Sequence, residues 1–107
     1  MSLDVSLTAV RETEVYTANI THNLTKMADK AGIYKALWCP EEIDITKAEQ
    51  LIKPLEDGLA KLKADPAYYQ QFDAPNGWGR YVHFVPFVKQ YLEACRANPD
   101  AMVRTSR

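Results

Sequence analysis

The chain of 107 residues has no long apolar run and no marked excess of one charge. A membrane-spanning helix needs roughly 20 consecutive apolar residues, and no stretch of this sequence approaches that length. The 13 Lys and Arg residues face 14 Asp and Glu residues, which gives a net charge of −1. Because nucleic-acid-binding domains usually carry a basic excess or stripe, the composition favours neither a membrane protein nor a nucleic-acid binder.

Cysteine and histidine are also scarce, with 2 residues of each. Cys39 and Cys95 stand far apart, and neither histidine falls in an H-x-x-x-H spacing, so the sequence predicts no metal site. The first residues lack the basic segment and apolar segment of a secretion signal. We therefore expect one domain over 1–107 in the cytoplasm, with both thiols free.

The familiar catalytic and phosphate-binding signatures are missing as well. The sequence has no Gly-x-Ser-x-Gly elbow and no Walker sequence. Gly77 and Gly79 form a lone Gly-x-Gly, without the third glycine or the preceding strand of a dinucleotide fingerprint. The sequence therefore favours a binding protein over an enzyme and predicts no cofactor. An enzyme that uses His22 as a base stays open as an alternative.

Hydrophobic periodicity predicts an α+β fold with the element order β-β-α-α-α-β. We expect the N- and C-terminal strands to pair in a small antiparallel sheet of two or three strands, with three main helices packed on one face. The first two strands are predicted to be joined by a turn at Arg11 and Glu12. The predicted strands cover 3–9, 13–18 and 101–106, and the predicted main helices cover 21–31, 48–64 and 81–95.

Local signals predict where several helices begin and end. Gly32 stands in the usual position after a helix and should end the first one. Thr46 and Glu49, three residues apart, predict a capping box at the start of the second. Asp65 followed by Pro66 predicts a cap and the first residue of a short aromatic helix.

Two polar segments stand where ligand-binding groups tend to collect. The first, 19–23 (Asn-Ile-Thr-His-Asn), lies where the second strand meets the first helix, and the second, 75–81 (Pro-Asn-Gly-Trp-Gly-Arg-Tyr), leads into the third main helix. Helix starts present free N–H groups that favour anions, and glycines let a backbone approach a ligand closely. The candidate ligand-binding residues are Asn19, Thr21, His22, Asn23, Asn76, Trp78, Arg80 and Tyr81.

Two interpretations of these segments stay open at this point. In the functional one, the asparagines hydrogen-bond to a ligand, His22 and Arg80 face its charge, and the aromatic residues stack on it. In the simpler one, Asn19 or Thr21 caps the helix, His22 is solvated and the aromatic residues fill the core. The functional interpretation requires the two segments to meet in space.

The chain resembles a family of small phage, prophage and bacterial proteins with Asn-Ile-Thr-His-Asn and Asn-Gly-Trp-Gly motifs, and the resemblance is carried by residues 3–7, 19–23, 31–38, 76–81 and 92–107. The resemblance extends over nearly the whole chain, although similar sequences carry arginine at the position of Cys39. It implies no activity, since none is established for the family. It does imply a context, because a small phage protein without catalytic motifs is often directed against a defence system in the host cytoplasm.

The sequence thus favours a non-catalytic phage-type protein that sequesters a small anionic or nucleotide-like ligand of host defence signalling. The first alternative is a protein-interaction module that inhibits a host protein, which requires a broad exposed apolar patch. The second is a small hydrolase or lyase that uses His22. A homodimer formed through an unpaired strand edge is a further expectation.

Overall fold

Helices cover one face of a three-stranded antiparallel sheet, which makes this an α+β fold, as predicted. The computed structural model describes residues 2–9 and 13–107, so the predicted turn at Arg11 and Glu12 lies outside the described residues. Strand β1 (Ser2–Thr8) lies between β2 (Glu14–Thr21) and β3 (Met102–Ser106). The predicted pairing of the N- and C-terminal strands is confirmed by the antiparallel register of β1 with β3.

Strand β1 takes the central position because its apolar side chains are the most buried of the sheet. Leu3, Val5 and Leu7 have no exposed surface, whereas Asp4 between them is exposed. Alternation with a period of two places the apolar set on the face that the helices cover. Strands β2 and β3 form the two edges, and association of a second copy through either edge stays a prediction for light scattering.

The helical segments between β2 and β3 include the three predicted main helices. The first is shorter than predicted and begins as a 3₁₀ turn, in which Thr21 Oγ1 accepts a hydrogen bond from the Asn23 N–H at 3.2 Å. In the part of the chain that the structure describes, no helix is long and apolar enough to cross a membrane. The segments are a 3₁₀ turn (His22–Leu24), α1 (Thr25–Lys30), α2 (Tyr34–Trp38), a second 3₁₀ turn (Pro40–Ile43), α3 (Glu49–Ala64), α4 (Pro66–Gln70) and α5 (Tyr81–Ala97).

Two of the predicted helix ends are confirmed. Gly32 directly follows the last residues of α1 with a φ of +79°, in the left-handed region that favours glycine. The Asp65 side chain accepts a hydrogen bond from the Tyr68 N–H at 3.3 Å, and Pro66 is the first residue of α4.

The predicted capping box at the start of α3 is wrong. Glu49 is the first residue of the helix rather than the third, and the side chain of Gln50 takes the role assigned to Thr46 and Glu49. Gln50 Oε1 accepts hydrogen bonds from the Thr46 N–H at 2.8 Å and from the Lys47 N–H at 2.9 Å. A β-bridge between Lys47 and Met102 holds this segment beside β3, which keeps it out of the helix.

Gly58, in the middle of α3, allows the close approach of Ile33. A Cβ built on Gly58 would lie 2.3 Å from Ile33 Cγ2, and Ile33 is buried. Alanine is a better helix former than glycine by about 1 kcal/mol, but overpacking a core costs about 1–3 kcal/mol. We expect Gly58→Ala to lower the free energy of unfolding by about 1 kcal/mol in urea denaturation.

The matched control for that substitution is a double-mutant cycle with Ile33→Ala. Without the Ile33 side chain the added methyl group has room, so Gly58→Ala should then be neutral or stabilising. If Gly58→Ala lowers the free energy of unfolding by the same amount with and without the Ile33 side chain, the close contact between Gly58 and Ile33 is contradicted.

The hydroxyl group of Tyr91, on α5, is buried without a hydrogen-bond partner among the described residues. The Tyr91 ring stacks on Tyr16 of β2 with centroids 5.8 Å apart, and burial raises the pKa of Tyr91 well above its usual value. Removing an unsatisfied buried group costs little or stabilises. We expect Tyr91→Phe to keep or raise the free energy of unfolding, by up to about 1 kcal/mol.

Tyr81→Phe is the comparison variant, because Tyr81 Oη donates a hydrogen bond to the Leu62 carbonyl at 2.7 Å. Loss of this hydrogen bond in Tyr81→Phe should lower the free energy of unfolding by about 1 kcal/mol. Thermal unfolding of both variants checks the pair, and equal destabilisation would show that Tyr91 has a polar partner in solution.

Candidate functional site

The loop before α5 is closed by hydrogen bonds and carries Trp78 into solvent. The Ala74 N–H donates to the Gly79 carbonyl at 2.9 Å, and the Trp78 N–H donates to Asn76 Oδ1 at 2.9 Å. Gly77 and Gly79 have φ values of +79° and +115°, which only glycine adopts easily. The loop therefore holds a Trp78 side chain that is 72% exposed.

The two polar segments meet in space, as the functional interpretation requires. Asn23 Nδ2 donates a hydrogen bond to the Trp78 carbonyl at 2.6 Å. Gly79 is buried against the first segment, and a Cβ built there would lie 2.9 Å from Asn23 Cβ and 3.1 Å from Thr21 Cγ2. The backbone of the second segment thus lies directly on the first.

A cleft of about 700 Å³ opens along this contact. Of the residues predicted from the sequence, it is lined by Asn19, Thr21, Asn23, Asn76 and Trp78. The volume falls within the range of about 300–1,000 Å³ that is usual for small-molecule sites. We call this cavity the junction cleft.

The structure adds lining residues that the sequence did not single out. Ile20 and Leu24 are buried apolar residues that line the junction cleft. Ser2 reaches it because the register of β1 and β2 places it opposite Thr21, a pairing that could be predicted only once the hairpin register is known. His83 lies on the first turn of α5. Its position away from the apolar residues of that helix is the one feature of the sequence that could have indicated it as a lining residue.

The polar side chains of the junction cleft are held in fixed orientations by their partners. Both N–H groups of the Asn19 amide donate within the sheet, one of them to Asp4 Oδ1 at 2.5 Å. The amide of Asn23 donates to a carbonyl of the loop, and that of Asn76 accepts from a loop N–H. Because an oxygen can only accept and an N–H can only donate here, each amide has one possible orientation.

Arg80 and Tyr81 do not line the junction cleft, because Asp73 holds both. Asp73 Oδ1 accepts a hydrogen bond from the Tyr81 N–H at 2.6 Å, and Asp73 Oδ2 lies 3.7 Å from Arg80 Nε. The Tyr81 hydroxyl bonds to the carbonyl of Leu62 on α3. The sequence predicts a ligand anion at the start of α5, but the Asp73 carboxylate already occupies that position.

His22 also lies outside the lining of the junction cleft, and it is half-buried rather than simply solvated. Its Nδ1 accepts a hydrogen bond from Trp38 Nε1 at 3.1 Å. The neutral ring then carries its proton on Nε2, which is buried without a partner among the described residues. Since the indole takes the lone pair of Nδ1, His22 has no free site to receive a proton from a substrate.

Comparisons with known proteins give no family for this chain. No protein-family model, no curated protein and no solved structure matches it at significant similarity. Over residues 2–9 and 13–107, no group of three or more His, Cys, Asp and Glu side chains is arranged to hold a metal ion. Its function must therefore be argued from the chemistry of the junction cleft.

Proposed function

We propose that the protein is a non-catalytic binding protein that holds a small ligand in the junction cleft. The observation that carries the proposal is the convergence of Asn19, Asn23, Asn76 and Trp78, from segments more than 50 residues apart, on one cavity. A cavity that combines a few oriented polar groups with apolar and aromatic surface is typical of ligand sites.

The biological role that we infer is sequestration. The motifs of the two polar segments resemble those of small phage and prophage proteins, and most residues of these two motifs line the junction cleft: Asn19, Ile20, Thr21, Asn23, Asn76, Gly77, Trp78 and Gly79. A phage protein that removes a signalling molecule of the host needs binding without turnover. The absence of a free base at His22 favours this role over a hydrolase or a lyase.

An inhibitor of a host protein is less well supported by the surface. The large hydrophobic residues that are exposed in the described part of the chain lie on five different helical segments or strands and on the loop before α5, so no single one of these presents an apolar stripe. Interaction surfaces are usually continuous apolar patches. The exposed residues are Val15, Ile43, Tyr68, Trp78, Val82 and Met102.

The proposal is tested by asking what the protein takes from a mixture of metabolites. Wild type and Trp78→Ala are incubated with a deproteinised bacterial extract, washed and denatured by heat, and the supernatants are compared by mass spectrometry. We expect a compound that is released by the wild type and missing from Trp78→Ala. Indistinguishable supernatants from the two proteins would contradict ligand binding in the junction cleft.

A further inference from the structure

Carboxylates lie close to the junction cleft at both polar segments, and the nearby cation Arg80 is paired with one of them. At the first polar segment, Asp4 accepts a hydrogen bond from the Asn19 amide. At the second polar segment, Asp73 accepts a hydrogen bond from the Tyr81 N–H at the start of α5 and pairs with Arg80. A bound anion would therefore find the Asn19 amide and the Tyr81 N–H already bonded to carboxylates, which also repel it.

The lining itself offers no compensating positive charge. Among the described lining residues there is no Lys, Arg, Asp or Glu, and His83 is the one ionisable side chain. The groove on the other side of Asn23 and Asn76 contains one cation, Lys26, and one carboxylate, Asp73. Asp73 is paired with Arg80, and the Lys26 ammonium lies over the Phe72 ring, 5.4 Å from its centre, rather than in the junction cleft.

The unfilled hydrogen-bonding capacity of the three asparagines favours a ligand that can donate. Among the described residues, no donor reaches the amide oxygens of Asn19 and Asn23, and no acceptor reaches the amide nitrogen of Asn76. These groups present the two acceptor oxygens of Asn19 and Asn23, together with both N–H groups of Asn76 and the second N–H of Asn23. A phosphate or carboxylate offers acceptors alone, whereas a nitrogen heterocycle with an amino or imide group offers both kinds.

The remaining surface of the junction cleft suits a flat ring. The Trp78 indole is 72% exposed and its backbone is held in a hydrogen-bonded loop, so the ring is open to a ligand. Of the buried apolar lining residues, Ile20 keeps a small exposed surface. Stacking of a base on an aromatic side chain contributes about 1–3 kcal/mol to binding.

We propose that the junction cleft recognises an uncharged planar nitrogen heterocycle of the nucleobase class, stacked on Trp78 and hydrogen-bonded to the asparagine amides. Any charged group of the same ligand stays outside the cleft. The inference rests on the proposed function and changes its expected chemistry, since the base rather than an anion is the part that is recognised.

The test compares common ribonucleosides, their 5′-monophosphates and inorganic pyrophosphate by quenching of Trp78 fluorescence. Trp38 is 1% exposed, and Trp78→Phe supplies the Trp38 background to subtract. We expect at least one nucleoside to bind with a Kd within about threefold of that of its monophosphate, because the phosphate adds little. Pyrophosphate should neither quench nor compete, and Arg80→Ala should bind the nucleoside as the wild type does.

Several results would overturn the inference and leave the proposed function standing. These are a monophosphate that binds at least about tenfold more tightly than its nucleoside, competition by pyrophosphate, or weaker binding by Arg80→Ala. Failure of every nucleoside and nucleotide, while a compound is still released from the wild type alone by heat, would have the same meaning. Failure of every probe together with identical heat-released supernatants would contradict both proposals.

Discussion

Trp78→Ala is expected to weaken ligand binding by roughly 5- to 150-fold, since stacking on an aromatic side chain contributes about 1–3 kcal/mol. The same substitution should change the free energy of unfolding by less than about 0.5 kcal/mol, as surface substitutions usually do. The reason is that the Trp78 side chain is 72% exposed, and the hydrogen bonds of Trp78 to Asn23 and Asn76 involve only the Trp78 backbone. Calorimetric titration and urea denaturation measure the two quantities on the same samples.

Val82→Ala is the matched control for the loss of an exposed apolar side chain. Val82 is 52% exposed, lies four residues after Trp78 on the first turn of α5, and does not line the junction cleft. It should leave both affinity and stability unchanged. Undiminished binding by Trp78→Ala would exclude the junction cleft as the site, and equal weakening by Val82→Ala would indicate a general surface effect.

Gly79→Ala should be the most destabilising of the substitutions considered. The φ of +115° is strained for alanine by about 1–2 kcal/mol, and the new Cβ would lie 2.9 Å from Asn23 Cβ and 3.1 Å from Thr21 Cγ2. Overpacking of this kind costs about 1–3 kcal/mol. We expect a loss of about 2–5 kcal/mol in the free energy of unfolding, together with loss of binding, because the two polar segments that line the junction cleft are forced apart.

Gly77→Ala separates backbone strain from packing. Gly77 also has a positive φ, +79°, but a Cβ built there meets nothing within 4 Å. The strain alone should cost about 1–2 kcal/mol in urea denaturation. Equal losses at the two glycines would contradict the close packing of the second polar segment on the first.

Much of the fold follows from local patterns. The period-two alternation of Leu3, Val5 and Leu7 identifies the central strand, and the helical spacing of buried residues identifies α3 and α5. The position of the two polar segments at element junctions was predictable for the same reason. Whether the two segments meet in space could not be predicted from local patterns, because it depends on where α5 packs relative to β2.

Three of the candidate residues are bonded to partners within the protein that their local sequence does not indicate. Arg80 and Tyr81 look available for a ligand until Asp73, eight residues before Tyr81, closes on the helix start. His22 looks solvated or catalytic until Trp38, 16 residues later, donates to its ring. In both cases a hydrogen bond that depends on the folded structure occupies a group that the local sequence leaves free, since most polar groups removed from water are paired.

The central claim, that groups from both polar segments hold one ligand, is tested most directly by side-chain NMR. The chain has 4 asparagines and 2 tryptophans. Asn19, Asn23, Asn76 and Trp78 line the junction cleft, whereas Asn98 bonds to the Ala94 carbonyl at the end of α5 and Trp38 is buried. The unaffected pair therefore provides an internal control within the same spectrum.

The measurement is a ¹⁵N–¹H spectrum recorded while the compound released from the wild type by heat is titrated back into the protein. We predict that the amide signals of Asn19, Asn23 and Asn76 and the indole signal of Trp78 shift together with one dissociation constant. The signals of Asn98 and Trp38 should stay in place. Shifts confined to one polar segment, or absent from both, would contradict a shared site.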